Sequence, residues 1–289
     1  MSYALAIALE TGTCDQVKPG KVPKFLQALQ DMTSEVALPY AFAEYLRLAR
    51  LPITINGDTS GWNRPGKGVL FIGDHRNGLE YFLLLAALGQ AGRKDIKIIA
   101  KPYAFSVHLT EALDMRHEGY ILPVIPGTLV SDRLNIFNRD IGMRVFNANT
   151  LSTRKEAKAI NATAMQNGAS FLANGYAVGV FPTGGVNSAT KSAWFRGVGE
   201  MIKLLPEEAR ERVVIIPFQF AHFTQFQVVA TLWLYSKGLK VKPRTLSLNV
   251  GRQISVADFL TSETAGSTDS QVITERLRLR YVQDFHPHH

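Results

Sequence analysis

Val69-Leu70-Phe71-Ile72-Gly73-Asp74-His75-Arg76-Asn77-Gly78-Leu79-Glu80 opens with four apolar residues, turns through small and polar ones, and runs into the apolar stretch Tyr81–Leu88. A short apolar run closed by glycine reads as a strand. The continuous apolar segment after it reads as a helix. The same alternation recurs downstream. Further strands are expected at Ile96–Ile99, Ile121–Ile125, Arg144–Phe146, Val178–Phe181, Val213–Ile216 and Leu246–Val250, with helices at Leu79–Leu88, Thr153–Ala173 and Phe195–Leu205. Strands that are apolar along their whole length are buried on both faces. The expected fold is therefore α/β, with a largely parallel or mixed central sheet flanked by helices. In such sheets the chemistry gathers at the carboxyl ends of the strands.

Upstream, Phe25, Leu29, Met32 and Val36 step by four, three and four, which sets them on one helical face. Pro39 breaks that helix and can start a second, carrying Phe42, Leu46 and Ala49. Lys21–Arg50 is thus expected to be a helical pair. Residues 1–60 are assigned to a helical cap and 61–289 to the α/β domain. The cap is expected to pack on its own domain, with contact to an anionic membrane as the other use of that stripe. Ser262–Ser270 is small and polar and reads as a mobile loop.

The chain has 289 residues and 46% apolar content, enough for a real core and too much for a disordered chain. Thirty-two basic residues against 24 acidic ones give a net charge of +8, which favours phosphate-bearing or anionic partners. Nucleic acid is not expected among them, because the basic residues are dispersed and no helix-turn-helix or zinc-finger pattern appears. Cys14 is the only cysteine, which excludes an internal disulfide and fits a reducing compartment. Met1–Glu10 lacks a basic leader and a small-residue cleavage pattern, so it is not read as a signal peptide. No run nears the ~18 apolar residues of a spanning helix. A cytoplasmic protein is expected, soluble or peripheral on the inner face of the membrane. The closing His286-Pro287-His288-His289 could be part of an appended tag and is set aside from the reading of the fold.

Three stretches carry candidate chemistry. His75 lies just past the first strand, and Glu80 one turn into the next helix, so the two can meet across the helix mouth. An acid that accepts from one imidazole nitrogen fixes the tautomer and leaves the other nitrogen to take a proton. The same residues also fit a plain helix cap. Phe181-Pro182-Thr183-Gly184-Gly185 ends a strand in two glycines whose N–H groups can approach an anion, or simply form a turn. Lys191 to Gly197, with Lys191 and Arg196, opens a helix with two cations and two aromatics, which also fits solvated charge beside a core. No His/Cys/Asp cluster has metal-ligand spacing.

In order and spacing these blocks resemble the glycerol-phosphate and lysophospholipid (1-acylglycerol-3-phosphate) acyltransferase family. The matching blocks are His75 to Glu80, Phe181-Pro182-Thr183-Gly184, Phe195-Arg196-x-Gly197, Ile215-Ile216-Pro217 and Gly251-Arg252-Gln253-Ile254. The resemblance covers about Gly66 to Val256. It implies transfer of an acyl group from acyl-CoA or acyl carrier protein to an acceptor hydroxyl, with His75 as base and Glu80 as its orienter. It also implies substrate contacts from Arg76, Lys101, Arg144, Thr183, Gly184, Gly185, Lys191 and Arg196, and no tightly bound cofactor or metal. The departures are specific. Glu80 stands where the family has Asp, and Thr183 where it has Glu. Val186 or Asn187 replaces one family arginine. Asn147, Ala148 or Asn149 falls where another is expected, with Arg144 nearby. In the family the two arginines and the glutamate are taken to hold the phosphate and glycerol parts of the acceptor, so a changed acceptor is expected. An ordinary glycerol-3-phosphate or lysophosphatidate acyltransferase, or a non-catalytic lipid- or thioester-binding protein on the same fold, are the alternatives.

Overall fold

Leu38–Leu48 forms the first described helix, α1, with proline in its first turn, where the missing N–H costs nothing. Leu38, Phe42, Tyr45 and Leu46 are buried along one side. This computed structural model describes residues 37–64, 66–76, 79–100, 120–125, 153–183, 193–221 and 223–286. The stripe Phe25, Leu29, Met32 and Val36 lies outside them, as does the expected strand Arg144–Phe146.

The chain continues through β1 (Ile53–Asn56), β2 (Gly68–Gly73), α2 (Glu80–Gln90), β3 (Ile96–Ala100) and β4 (Ile121–Pro123). Next come α3 (Arg154–Ala173), β5 (Ala177–Val180), α4 (Gly197–Lys203), α5 (Glu207–Arg210) and β6 (Val213–Ala221). The last elements are α6 (Gln225–Ser236), β7 (Leu246–Val250), β8 (Ile254–Ser255), α7 (Val256–Ser262) and α8 (Ser270–Phe285). The strands form one sheet in the order β1-β7-β6-β2-β5-β3-β4, with β8 added beside β6. β2, β3, β4, β5 and β6 run parallel; β7 and β8 are antiparallel to β6, and β1 is parallel to β7. The sheet is mixed, and the α/β expectation holds. β1 falls within residues 1–60 and is a strand of this sheet.

β2 sits between β5 and β6, and all six of its residues are buried. Val69 and Phe71 point into a core shared with α1, α2 and α6. Leu70 and Ile72 point into a second core under α3, α4, α7 and α8. Two such layers explain why the central strands read as unbroken apolar runs. α1 and α2 pack closely because Gly89 has no side chain. A Cβ there would strike the carbonyl of Pro39. Pro217 lies where the partner of β6 changes from β8 to β7, a position at which a missing ladder donor is tolerated.

Arg93 closes the edge of the sheet opposite the carboxyl ends. Its buried guanidinium donates to Asp95 at 2.9 and 3.0 Å, to the Gly175 carbonyl at 2.6 Å and to the Trp62 carbonyl. Removing the guanidinium leaves the Trp62 and Gly175 carbonyls without that donor, while Asp95, 38% exposed, keeps contact with solvent. Arg93→Met is therefore expected to cost about 1–3 kcal/mol. Urea unfolding should show a lower midpoint at unchanged slope, and a midpoint equal to wild type would contradict the assigned role.

Candidate active site

β2 delivers the site. Gly73 is its last residue, and the Phe218 ring of β6 occupies the space that a Cβ would need. Asp74 follows, 3% exposed, and shapes the turn. Its Oδ1 accepts the His75 N–H at 3.0 Å, and Oδ2 accepts the Arg76 Nε–H. His75 is thereby turned back toward α2. Its ring lies 5.3 Å from Phe181 and 5.6 Å from Tyr81, centre to centre.

Glu80, 2% exposed, is the first residue of α2. Its Oε2 is 3.0 Å from His75 Nδ1, and its Oε1 accepts the Arg76 N–H at 2.9 Å. A carboxylate only accepts, so Nδ1 carries the hydrogen and Nε2 presents its lone pair. The helix N-terminus favours the negative charge on Glu80. The pair expected from sequence spacing is therefore formed. Nε2 makes no hydrogen bond among the described residues. No serine or cysteine bonds to the imidazole there, so the arrangement holds a base and its orienter without an attached nucleophile.

Neither a family model nor a curated protein sequence matches this chain. Among solved structures it is similar to the 1-acyl-sn-glycerophosphate (LPA) acyltransferase PlsC from Thermotoga maritima. The identity is 13%, with 89% of this chain and 76% of that chain covered, at a TM-score of 0.43.

The other residues singled out from the sequence fall into two groups. Thr183 is buried at the end of the Phe181-Pro182 turn after β5, the strand beside β2. Arg76 is beside the dyad, but its guanidinium is held by Asp74 and directs Nη2 to His286 Nε2 at 3.0 Å. Arg196 precedes α4, exposed and without an ion pair among the described residues. The Phe195 N–H donates to the Pro182 carbonyl at 2.9 Å, which ties this segment to the end of β5. Lys101, Arg144, Gly184, Gly185 and Lys191 lie outside the described residues.

Sequence reading missed the second layer around the turn. Asp74 is adjacent to His75 and its buried role has no sequence signature. His286, set aside in the sequence reading with the closing residues, lies at the end of α8 and approaches both Arg76 and Gln219, the latter at 3.1 Å. The separation of 210 positions between Arg76 and His286 hides that contact from any local pattern. Tyr281, also on α8, packs edge-on to Trp194 at 5.6 Å. Its buried hydroxyl has no well-formed hydrogen bond.

Burial, and secondarily the Asp74 carboxylate, push the Tyr281 phenol well above its ordinary value, against smaller opposing effects of Arg76 and Gln219. Burial and Tyr235 likewise raise Tyr45. The folded state then keeps protons that unfolded tyrosines lose above about pH 10. Stability from these groups is complete below that pH and falls as pH rises beyond it, by at most about 1.4 kcal/mol per pH unit and group. The ionisation of both tyrosines should leave the urea midpoint unchanged around neutral pH and lower it above about pH 10. The decline should be shallower in Tyr281→Phe, and an equal decline would remove Tyr281 from the account.

Proposed function

We propose that this chain is an acyltransferase that moves an acyl group from an acyl thioester, on coenzyme A or acyl carrier protein, to an acceptor hydroxyl. The observation that carries the reading is the His75 Nδ1 to Glu80 Oε2 contact of 3.0 Å at the carboxyl end of the central strand, with Nε2 left for proton transfer. The resemblance of the five sequence blocks supports it. Nε2 takes the proton of the acceptor hydroxyl as its oxygen attacks the thioester carbonyl. Glu80 stabilises the imidazolium that forms. The tetrahedral intermediate collapses by breaking the carbon–sulfur bond, and the imidazolium returns the proton to the departing thiolate. No covalent acyl-enzyme is formed, consistent with the absence of a serine or cysteine bonded to His75 among the described residues. Gly184 and Gly185 are the proposed oxyanion and acceptor contacts, Lys191, Arg196 and Lys101 the proposed cations for phosphate groups, and Arg144 and Arg76 further proposed substrate contacts.

The acceptor is proposed to differ from glycerol-phosphate, because Thr183, Val186 or Asn187, and Asn149 stand where charged acceptor contacts are expected. The test is a thiol-release assay with acyl-CoA donors of several chain lengths against a panel of hydroxyl acceptors. Acceptor-dependent release supports the reading. Binding of thioester without turnover would favour a non-catalytic carrier on the same fold.

A further inference from the structure

The last turns of α8 are pinned to the sheet. The Asp284 carboxylate accepts the Arg252 N–H at 3.0 Å and its Nε–H at 2.8 Å. Gly251 lets the two segments approach this closely, because a Cβ there would strike that carboxylate. Tyr281 packs on Trp194 at 5.6 Å and on Phe285 at 4.9 Å, with its phenol beside the Asp74 backbone and the Gln219 side chain. His286 closes the helix, its N–H bonded to the Val282 carbonyl at 2.7 Å. From this fixed base its Nε2 lies 3.0 Å from Arg76 Nη2 and 3.1 Å from the Gln219 amide nitrogen. Arginine only donates, so His286 Nε2 accepts, and the ring is neutral with its hydrogen on Nδ1.

We propose that His286 is a positioning residue for the catalytic turn, acting on His75 through Arg76. Its effect on turnover rests on the acyl-transfer reading; its effect on the turn does not. Arg76 is the residue after the base and is held at both ends. Its N–H donates to Glu80 Oε1 at 2.9 Å, and its guanidinium is shared between Asp74 and His286. The same two carboxylates grip His75, Asp74 through the main-chain N–H and Glu80 through Nδ1. A guanidinium fixed on α8 therefore holds Asp74 Oδ2 in place, leaving Oδ1 aimed at the His75 N–H. The turn lies beyond the last residue of β2, and α8 supplies a support for it that is independent of α2. A base must sit within a fraction of an ångström of its working position, so a support of this kind acts on turnover more than on binding.

The experiment compares wild type, His286→Phe and His286→Gln as full chains, by amide hydrogen exchange and by acceptor-dependent thiol release. Phenylalanine keeps a ring but offers no acceptor, whereas the glutamine amide oxygen can accept from Arg76 as Nε2 does. Losing one partly exposed hydrogen bond to a charge corresponds to about a fivefold change. In His286→Phe the His75 and Arg76 amides should therefore exchange about fivefold faster, with the amides of α2 unchanged. Its kcat should fall by about the same factor while KM stays within roughly twofold. His286→Gln should restore both. Unchanged exchange at His75 and Arg76 would overturn the proposal. So would exchange that quickens along α8 or throughout the protein, the mark of a plain helix cap, or faster exchange in the turn with unaltered kcat. Failure of His286→Gln to restore protection would also overturn it. A wild type that releases no thiol would remove the acyl-transfer reading, and the exchange rates would still decide whether His286 holds the turn.

Discussion

Replacing His75 with alanine should lower acceptor-dependent thiol release by about 10²–10⁴-fold, the usual cost of removing a general base. The loss should fall on turnover and not on folding. The ring is partly exposed at the end of β2, and the cores on both faces of the sheet do not depend on it. Circular dichroism and a urea midpoint close to wild type would confirm that the variant is folded. Glu80 substitutions should be graded. Glu80→Gln keeps a group beside Nδ1 but loses the charge that stabilises the imidazolium, so it should lose less than His75→Ala. Glu80→Asp keeps the charge and shortens the reach by one methylene. It should retain partial activity, because both Nδ1 and the Arg76 N–H must still be met. A Glu80→Asp rate far below that of Glu80→Gln would mean that the carboxylate charge is not what the imidazole uses.

Lysophosphatidate and glycerol-3-phosphate should be poor acceptors beside an uncharged or differently charged alcohol. Each charge-assisted hydrogen bond that is lost costs roughly 1.5–3 kcal/mol. Losing two corresponds to about 10²–10⁴-fold in kcat/KM at ~1.4 kcal/mol per decade. Arg76 is placed near the dyad, but Asp74 and His286 already engage its guanidinium, and using it for a phosphate would mean breaking those contacts. The comparison is kcat/KM for lysophosphatidate against neutral hydroxyl acceptors with one fixed donor. A clear preference for lysophosphatidate that disappears in Arg196→Ala or Arg144→Ala would show that the phosphate contacts had moved, contradicting the changed acceptor.

What the sequence made legible follows from burial. β2, β5 and the first half of β6 are apolar throughout because both faces are covered, and each stood out as an unbroken run. β1 did not: it is four residues at the sheet edge, of which only Ile53 is fully buried. β8 has only two residues. α6 escaped because apolar residues cover its exposed side as well as its buried one, which removes the one-sided pattern. α8 escaped because its buried side mixes Ile273, Leu277 and Tyr281 with Ser270, Thr274 and Arg280. Those polar groups are buried because α8 approaches Gly199 closely and Arg280 pairs with Glu263. The His75–Glu80 pair was legible since both ends of one turn hold it. Asp74 and His286 were not, because a buried carboxylate and a contact across the whole chain leave no local trace.

Acyl transfer is tested most directly by acceptor-dependent thiol release from acyl-CoA, measured on wild type and His75→Ala side by side with the acylated product quantified. Acyl transfer by the His75–Glu80 dyad predicts thiol and product in equal amounts from wild type and a loss of both by about 10²-fold or more in the variant. Release of thiol without acylated acceptor, or equal rates from both proteins, would contradict it.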